Sequence, residues 1–127
     1  MAVRVIIVDD IFNTRGALRA LLSERGYNVV GDFEDGVEAL DFFKGEKPDL
    51  AILDYNLNCT KNGCAYTGVD LMKDMRNIKP TIKIVFISAN AEPAIIKKAI
   101  ANGASDFIGK PFVLSEVLDR IGKVISK

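Results

Sequence analysis

Short apolar runs alternate with helix-patterned segments along the whole of this 127-residue chain. The runs are mainly apolar and rich in Val and Ile, which is typical of parallel strands covered on both faces. They lie at residues 3–8, 27–33, 50–53, 82–87 and 105–108. This alternation constrains the fold more than any other feature, because a strand followed by a helix, five times over, predicts an α/β architecture.

The segments between the runs carry apolar residues at helical spacing. We predict helices over residues 13–25, 36–44, 68–77, 91–102 and 113–125. In the first, Leu18, Leu21 and Leu22 share a face, and we expect Asn13 to cap its start and Gly26 to cap its end.

Right-handed crossovers between such elements produce an open sheet with helices on both faces. We therefore expect a flavodoxin-like (βα)5 doubly wound parallel sheet and adopt for it the known strand order 2-1-3-4-5. Ligands bind such sheets outside the carboxyl ends of the strands, here beside the first and third. The length fits one domain over residues 1–127.

Charge and hydropathy exclude several classes of function. Seventeen basic residues balance seventeen acidic ones without a run of like charge, so we expect no direct binding to nucleic acid. No apolar stretch approaches the length of a membrane span, and the start does not match a secretory signal. We expect no membrane association and a cytoplasmic location.

Acidic side chains follow two strands that are neighbours in the expected sheet. Asp9 and Asp10 come directly after the first strand and Asp54 after the third. Three carboxylates in one crevice need a cation, and oxygen ligands of this kind suit Mg²⁺. Taken singly, each aspartate also fits an ordinary turn. Ser88 and Lys110 follow the fourth and fifth strands, where they could donate to a phosphoryl oxygen and offset its charge.

These strand ends resemble the motifs of the receiver domain of two-component response regulators. The matching segments are Val8-Asp9-Asp10, Ile52-Leu53-Asp54, Ile87-Ser88-Ala89 and Lys110-Pro111-Phe112. The resemblance implies that Asp54 is the phosphoacceptor and that Asp10, Asp54 and the main-chain carbonyl of Asn56 bind Mg²⁺ directly, with Asp9 acting through water. Mn²⁺ would be able to substitute.

The same resemblance implies a switch. Ser88 and Lys110 would contact the phosphoryl group, Phe107 would fill the space that the Ser88 hydroxyl vacates, and the Lys110–Pro111 bond would be cis. The surface of the fourth and fifth helices with the fifth strand, around Ile96 and Lys97, would then change.

The expected partners follow from the same resemblance. The chain contains no histidine, so the phosphoryl donor would be a sensor histidine kinase, a phosphotransfer protein or a small acyl phosphate. A downstream protein target, an output domain or a second copy in a homodimer would receive the signal. The chain would catalyse only its own phosphorylation and dephosphorylation.

Residues 55–67 depart from the family pattern, since this stretch is longer than usual and lacks proline. It contains Cys59 and Cys64. We expect reduced thiols on a mobile loop, with a redox-sensitive pair as an alternative. Two cysteines without a histidine are a weak metal signal.

Three other functions compete with a working receiver. A pseudo-receiver would keep the fold without the chemistry. A haloacid-dehalogenase-like phosphohydrolase needs a second carboxylate that Asp54-Tyr55-Asn56 lacks. A flavin-binding protein would share the topology, but two carboxylates after the first strand would repel its phosphate.

Overall fold

A computed structural model describes residues 2–126, so the predicted domain limits Met1 and Lys127 lie outside the described residues. In chain order the elements are β1 (Arg4–Val8), α1 (Phe12–Glu24), β2 (Asn28–Phe33), α2 (Gly36–Glu46), β3 (Leu50–Asp54), β4 (Cys59–Lys61), β5 (Cys64–Tyr66), α3 (Gly68–Ile78), β6 (Lys83–Ser88), α4 (Pro93–Ala101), β7 (Asp106–Gly109) and α5 (Leu114–Ile125).

The main sheet is parallel and has five strands in the order β2-β1-β3-β6-β7. Once the short strands β4 and β5 are set aside, this is the predicted order 2-1-3-4-5, and the flavodoxin-like expectation is confirmed. In the register of the sheet Asp54 lies beside Ile87 and Ser88 lies beside Gly109. The carboxyl ends of β3, β6 and β7 therefore finish at one level.

Two apolar layers enclose the sheet, one on each face. Strand residues such as Ile6 and Val8 pack with α2, α3 and α4, whereas Val5 and Ile7 pack with α1 and α5. Both faces are covered, which explains why the strand sequences are apolar at nearly every position. No helix within the described range is long and apolar enough to cross a membrane.

The boundaries of α1 differ from the prediction at its start. The helix begins at Phe12 after Ile11, and no side chain caps it. Asn13 is the second helical residue, so the prediction that it caps the helix is wrong. Gly26 follows the last turn with a φ of 88°, a conformation that glycine adopts readily, and this end was predicted correctly.

The segment between β3 and α3 contains an antiparallel hairpin of β4 and β5 rather than an unstructured loop. Its turn is Asn62-Gly63, with φ angles of 53° and 81°, as a two-residue hairpin turn requires. Tyr66 is buried and its hydroxyl donates to Asp74 on α3. The prediction of a mobile loop is therefore wrong for residues 59–66.

The two cysteines of the hairpin do not face each other across the strands. Cys59 lies opposite Tyr66 and Cys64 lies opposite Lys61. Both thiols are free, and the Cys59 thiol donates to the carbonyl oxygen of Tyr66 at 3.2 Å. The redox-sensitive pair stays a hypothesis.

Candidate functional site

Four adjacent strands of the sheet deliver the predicted site residues to its carboxyl edge. Asp9 directly follows β1, Asp54 ends β3, Ser88 ends β6 and Lys110 directly follows β7. Because parallel strands all point the same way, their last residues meet at one edge, and the expected convergence is observed.

Burial distinguishes this edge from the rest of the molecule. Within residues 2–126, and Tyr66 aside, the buried polar side chains are Asp9, Asp54 and Ser88, with exposures of 0%, 5% and 0%. A buried carboxylate or hydroxyl is unfavourable unless it is paired. Three buried polar side chains of the described residues therefore lie together at one edge, and such clustering is typical of functional sites.

Asp9, Asp10 and Asp54 form a compact group of carboxylates. One oxygen from each lies within 4.8 Å of the others. Burial is the main cause that raises the pKa of Asp54 to about 6; the charge of Asp9 and a contact with Asp10 act in the same direction, whereas the Asn56 amide and Lys110 lower the pKa. Crowded, mutually repelling carboxylates of this kind fit a hard divalent cation such as Mg²⁺.

Lys110 forms an ion pair with Asp9, one member of this acidic group. Its Nζ is 2.9 Å from Oδ2 of Asp9, and Oδ1 of Asp9 accepts from the backbone N–H of Ile11 at 2.8 Å. Both oxygens of this fully buried carboxylate are thus hydrogen-bonded. The Lys110–Pro111 peptide bond is cis, as expected.

Asn56 contacts the site through both its backbone and its side chain. The backbone N–H donates to Oδ1 of Asp54 at 3.0 Å, and the carboxamide Nδ2 donates to Oγ of Ser88 at 2.9 Å. Sequence reasoning assigned the main-chain carbonyl of Asn56 to the site and did not predict the side-chain contact with Ser88. No local signal reveals it, because the partners are 32 positions apart.

An aromatic cluster lies under the site. Phe107 is 2% exposed, and its ring centroid is 5.5 Å from that of Tyr55 and 6.3 Å from that of Phe86. Tyr55 also meets Phe86 edge-on at 5.2 Å. Phe107 is therefore a packed core residue here, and it contacts Tyr55, the residue that directly follows Asp54 and that the sequence did not single out.

Gly68 fixes how closely α3 approaches Asp54. A Cβ at this position would lie 2.5 Å from the carbonyl oxygen of Asp54 and 3.0 Å from that of Tyr55. Only glycine fits so near this backbone. The Thr67 side chain caps α3, with Asp70 completing a capping box, so the helix begins at the predicted residue.

Comparison with known proteins identifies the family. The family described as "Response regulator receiver domain" matches residues 5–122. The chain belongs to this family. The receiver is 36% identical over 124 residues to the chemotaxis protein CheY of Thermotoga maritima, with 98% of each protein covered. It is also 33% identical over 121 residues to the probable transcriptional regulatory protein NarL of Mycobacterium tuberculosis, covering 94% of this chain and 53% of that protein.

Solved structures agree with this assignment. A response regulator from Thermotoga maritima superposes with a TM-score of 0.85 at 30% identity, with 100% of each chain covered. A chain of the CheX-CheY-BeF3-Mg complex of Borrelia burgdorferi gives a TM-score of 0.85 at 27% identity, covering 98% of this chain and 90% of that one. The receiver is thus a signalling domain of the two-component type, and its acidic group occupies the edge where the fold binds ligands.

Proposed function

We propose that this receiver accepts one phosphoryl group on Asp54 from the phosphohistidine of a sensor histidine kinase or phosphotransfer protein. The observation that carries the proposal is the meeting of buried Asp54, Asp9 and Ser88 with Lys110 at one edge of the sheet. In-line phosphoryl transfer needs a placed nucleophile and charge stabilisation more than it needs covalent chemistry, and this group of side chains offers both.

In the proposed step an oxygen of the Asp54 carboxylate forms a bond to phosphorus while the bond from phosphorus to the donor's imidazole nitrogen breaks. The electron pair of the broken bond stays on the imidazole, which takes up a proton. Ser88 donates its hydroxyl to a phosphoryl oxygen, and Lys110 offsets the charge of the group. Attack by water on phosphorus later restores the carboxylate and releases inorganic phosphate.

Asp10, Asp54 and the main-chain carbonyl of Asn56 would hold Mg²⁺ directly, and Asp9 would hold it through water. Bound Mg²⁺, or Mn²⁺ in its place, supplies positive charge against the carboxylates and the phosphoryl oxygens. The raised pKa of Asp54 supports this assignment, because burial, and to a smaller extent the nearby charge of Asp9, disfavours an uncompensated carboxylate at this place.

An exposed apolar rim beside the site supports a protein as the donor. Ile11 and Phe12 at the start of α1 are 48% and 76% exposed, and Val113 and Leu114 at the start of α5 are 62% and 44% exposed. Both helices pack on the same face of the sheet and begin at its carboxyl edge. Exposed apolar groups next to a reactive site are typical of a docking surface.

The output surface is proposed to be α4, β7 and α5. A phosphoryl group that accepts a hydrogen bond from the Ser88 hydroxyl would displace that hydroxyl and so disturb the packing of Phe107 against Tyr55 and Phe86. This disturbance would in turn change the surface around Ile96 and Lys97. A downstream target, an output domain or a second copy would bind there. If the amide spectra of residues at this surface are the same before and after phosphorylation, α4, β7 and α5 are not the output surface.

Intact mass after incubation with acetyl phosphate and Mg²⁺ tests the proposed function. We expect one phosphoryl addition that is lost in Asp54→Asn and without Mg²⁺, whereas Asp41→Asn, an exposed substitution on α2, keeps it. No addition from acetyl phosphate or from histidine kinases would favour a pseudo-receiver. Continuous release of phosphate from phosphate esters would favour a hydrolase.

A further inference from the structure

A groove lies between the base of the β4–β5 hairpin, α3 and α4, beside the segment that follows Asp54. Its volume is about 600 Å³, which is within the range of cavities that hold small molecules. Tyr55, Leu57 and Val69 provide apolar surface in its lining. Because small-molecule sites combine such surface with a few placed polar groups, the charged groups of the lining decide which ligands fit.

Two lysines line the groove from two different helices. Lys73 lies on α3 and Lys98 on α4, and both are exposed. Neither ammonium group is in an ion pair with a residue that the structure describes. The lining contributed by residues 2–126 contains no carboxylate. The groove therefore presents positive charge next to apolar surface.

The acids that neighbour Lys73 on α3 have other hydrogen-bond partners. The carboxylate of Asp70 accepts from the backbone N–H of Thr67 at 2.9 Å and from its hydroxyl at 3.0 Å. That backbone N–H is the main cause that lowers the pKa of Asp70, and the charge of Lys73 contributes least. Asp74 is paired with Lys61 at 3.4 Å. The ammonium group of Lys73 is therefore free to bind a ligand.

The hairpin gives one end of the groove a fixed shape. Asn58 directly precedes β4 and Thr67 directly follows β5, and both line the groove. The hairpin is anchored to α3, because Tyr66 is buried and its hydroxyl donates to Asp74. A site that is formed before binding has less to order when the ligand arrives. The groove also depends on a segment that departs from the family pattern.

We propose that this groove binds a small organic anion with an apolar or aromatic body. The ammonium groups of Lys73 and Lys98 bind the anionic group, while Tyr55 and Val69 contact the body. The inference does not depend on phosphorylation of Asp54. Since the Tyr55 ring packs against other aromatic side chains under the phosphorylation site, a ligand in the groove contacts that aromatic cluster directly.

Titration with phenylphosphonate in EDTA, followed by amide NMR shifts, tests the proposal. This probe carries a ring and an anionic group, and its phosphorus is bound to carbon, so it has no phosphoryl group to transfer to Asp54. We expect saturable shifts of the amide signals of Asn58, Val69 and Asn102. At the same concentrations, benzyl alcohol, which lacks the charge, and inorganic phosphate, which lacks the ring, are expected to give no saturable shifts.

Substitution of single lysines locates the binding site. Lys73→Met and Lys98→Met are each expected to weaken binding of phenylphosphonate about fivefold, because each removes one exposed hydrogen bond to a charged group. The matched control is Lys97→Met, an exposed lysine of α4 outside the lining of the groove. In about 0.15 M salt, which screens distant charges, it is expected to change binding less than about twofold.

Three outcomes would overturn the inference. The first is the absence of saturable binding to wild type, and the second is an equal loss in all three lysine variants. The third is binding of inorganic phosphate as tight as that of phenylphosphonate. If an acetylated peptide of alternating aspartate and phenylalanine shifts the signals and phenylphosphonate does not, the groove is a protein docking site and the proposal of a small ligand is wrong.

Discussion

Lys110 Nζ lies 2.9 Å from Oδ2 of Asp9, a carboxylate with no exposed surface. The lysine that is proposed to offset phosphoryl charge thus also neutralises a buried acid next to the phosphoacceptor. The pair spans 101 positions of sequence and connects the carboxyl ends of the first and last strands of the chain.

Removing the lysine is expected to destabilise the metal-free protein. Lys110→Met leaves the Asp9 charge buried without its partner, and breaking such a pair costs about 3 kcal/mol. Urea unfolding in EDTA measures the loss. Asp9→Asn combined with Lys110→Met is expected to recover much of it, whereas exposed Lys97→Met serves as the neutral control. Equal stability of the Lys110 and Lys97 variants would contradict the prediction.

The raised pKa of Asp54 predicts a stability that falls as the pH rises. The carboxyl titrates near 3.8 in the unfolded chain and at about 6 in the folded protein, so between these values the folded state binds more protons. Its free energy of unfolding therefore decreases with pH across this window, by at most about 3 kcal/mol at roughly 1.4 kcal/mol per unit.

Urea midpoints measured from pH 4 to pH 7 in EDTA test this dependence. Asp54→Asn removes the titrating group and is expected to flatten the profile relative to wild type. Asp49 and Asp70, whose pKa values are lowered chiefly by backbone N–H donors, act in the opposite sense in both proteins, so the difference between the two profiles isolates Asp54. Parallel profiles would show that Asp54 is not perturbed.

Magnesium is expected to stabilise the folded receiver through its acidic group. A ligand that binds only the folded state at about 100 times its Kd adds roughly 2.7 kcal/mol. We expect Mg²⁺ to raise the Tm of wild type at pH 7 and to have little effect on Asp10→Asn, while Asp41→Asn responds like wild type. The same rise in all three proteins would place the ion elsewhere.

The sequence predicted the strands and the site edge because these depend on local features, whereas the strand order was adopted from known sheets of this type. Apolar runs fix the strands, and Asp9, Asp54 and Ser88 stand at or directly after the ends of those runs. The hairpin was missed although Asn62-Gly63 is a strong turn signal, since each of its strands has only three residues. The Asn56–Ser88 and Lys110–Asp9 contacts depend on side-chain conformations across distant segments, which no sequence pattern specifies.

The exposed rim predicts a difference between protein and small-molecule donors. Phe12 is 76% exposed, and truncating an apolar anchor of an interface costs more than 1 kcal/mol where it is buried by the partner. Phe12→Ala is therefore expected to slow phosphotransfer from a histidine kinase at least fivefold and to leave the rate with acetyl phosphate unchanged. Equal rates with the kinase would exclude Phe12 from the docking surface.

Gly68 is expected to tolerate no side chain, because the three nearest atoms that a Cβ would meet belong to the backbone. The carbonyl oxygens of Asp54 and Tyr55, at 2.5 and 3.0 Å, cannot rotate away, so Gly68→Ala must shift the end of β3 or the start of α3. Overpacking of this kind costs about 1–3 kcal/mol, and the displaced Asp54 is expected to weaken the response to Mg²⁺.

Gly16→Ala provides the matched control for Gly68→Ala. Gly16 lies inside α1, and a methyl group added there would meet nothing within 4 Å, so alanine is expected to stabilise the protein by about 0.5–1 kcal/mol. We expect Gly68→Ala to lower and Gly16→Ala to raise the free energy of unfolding in urea, with a reduced response to Mg²⁺ only in Gly68→Ala. This result would show that the close approach of α3 controls the position of Asp54. Stabilisation by both would mean that the segment after Asp54 has room to move.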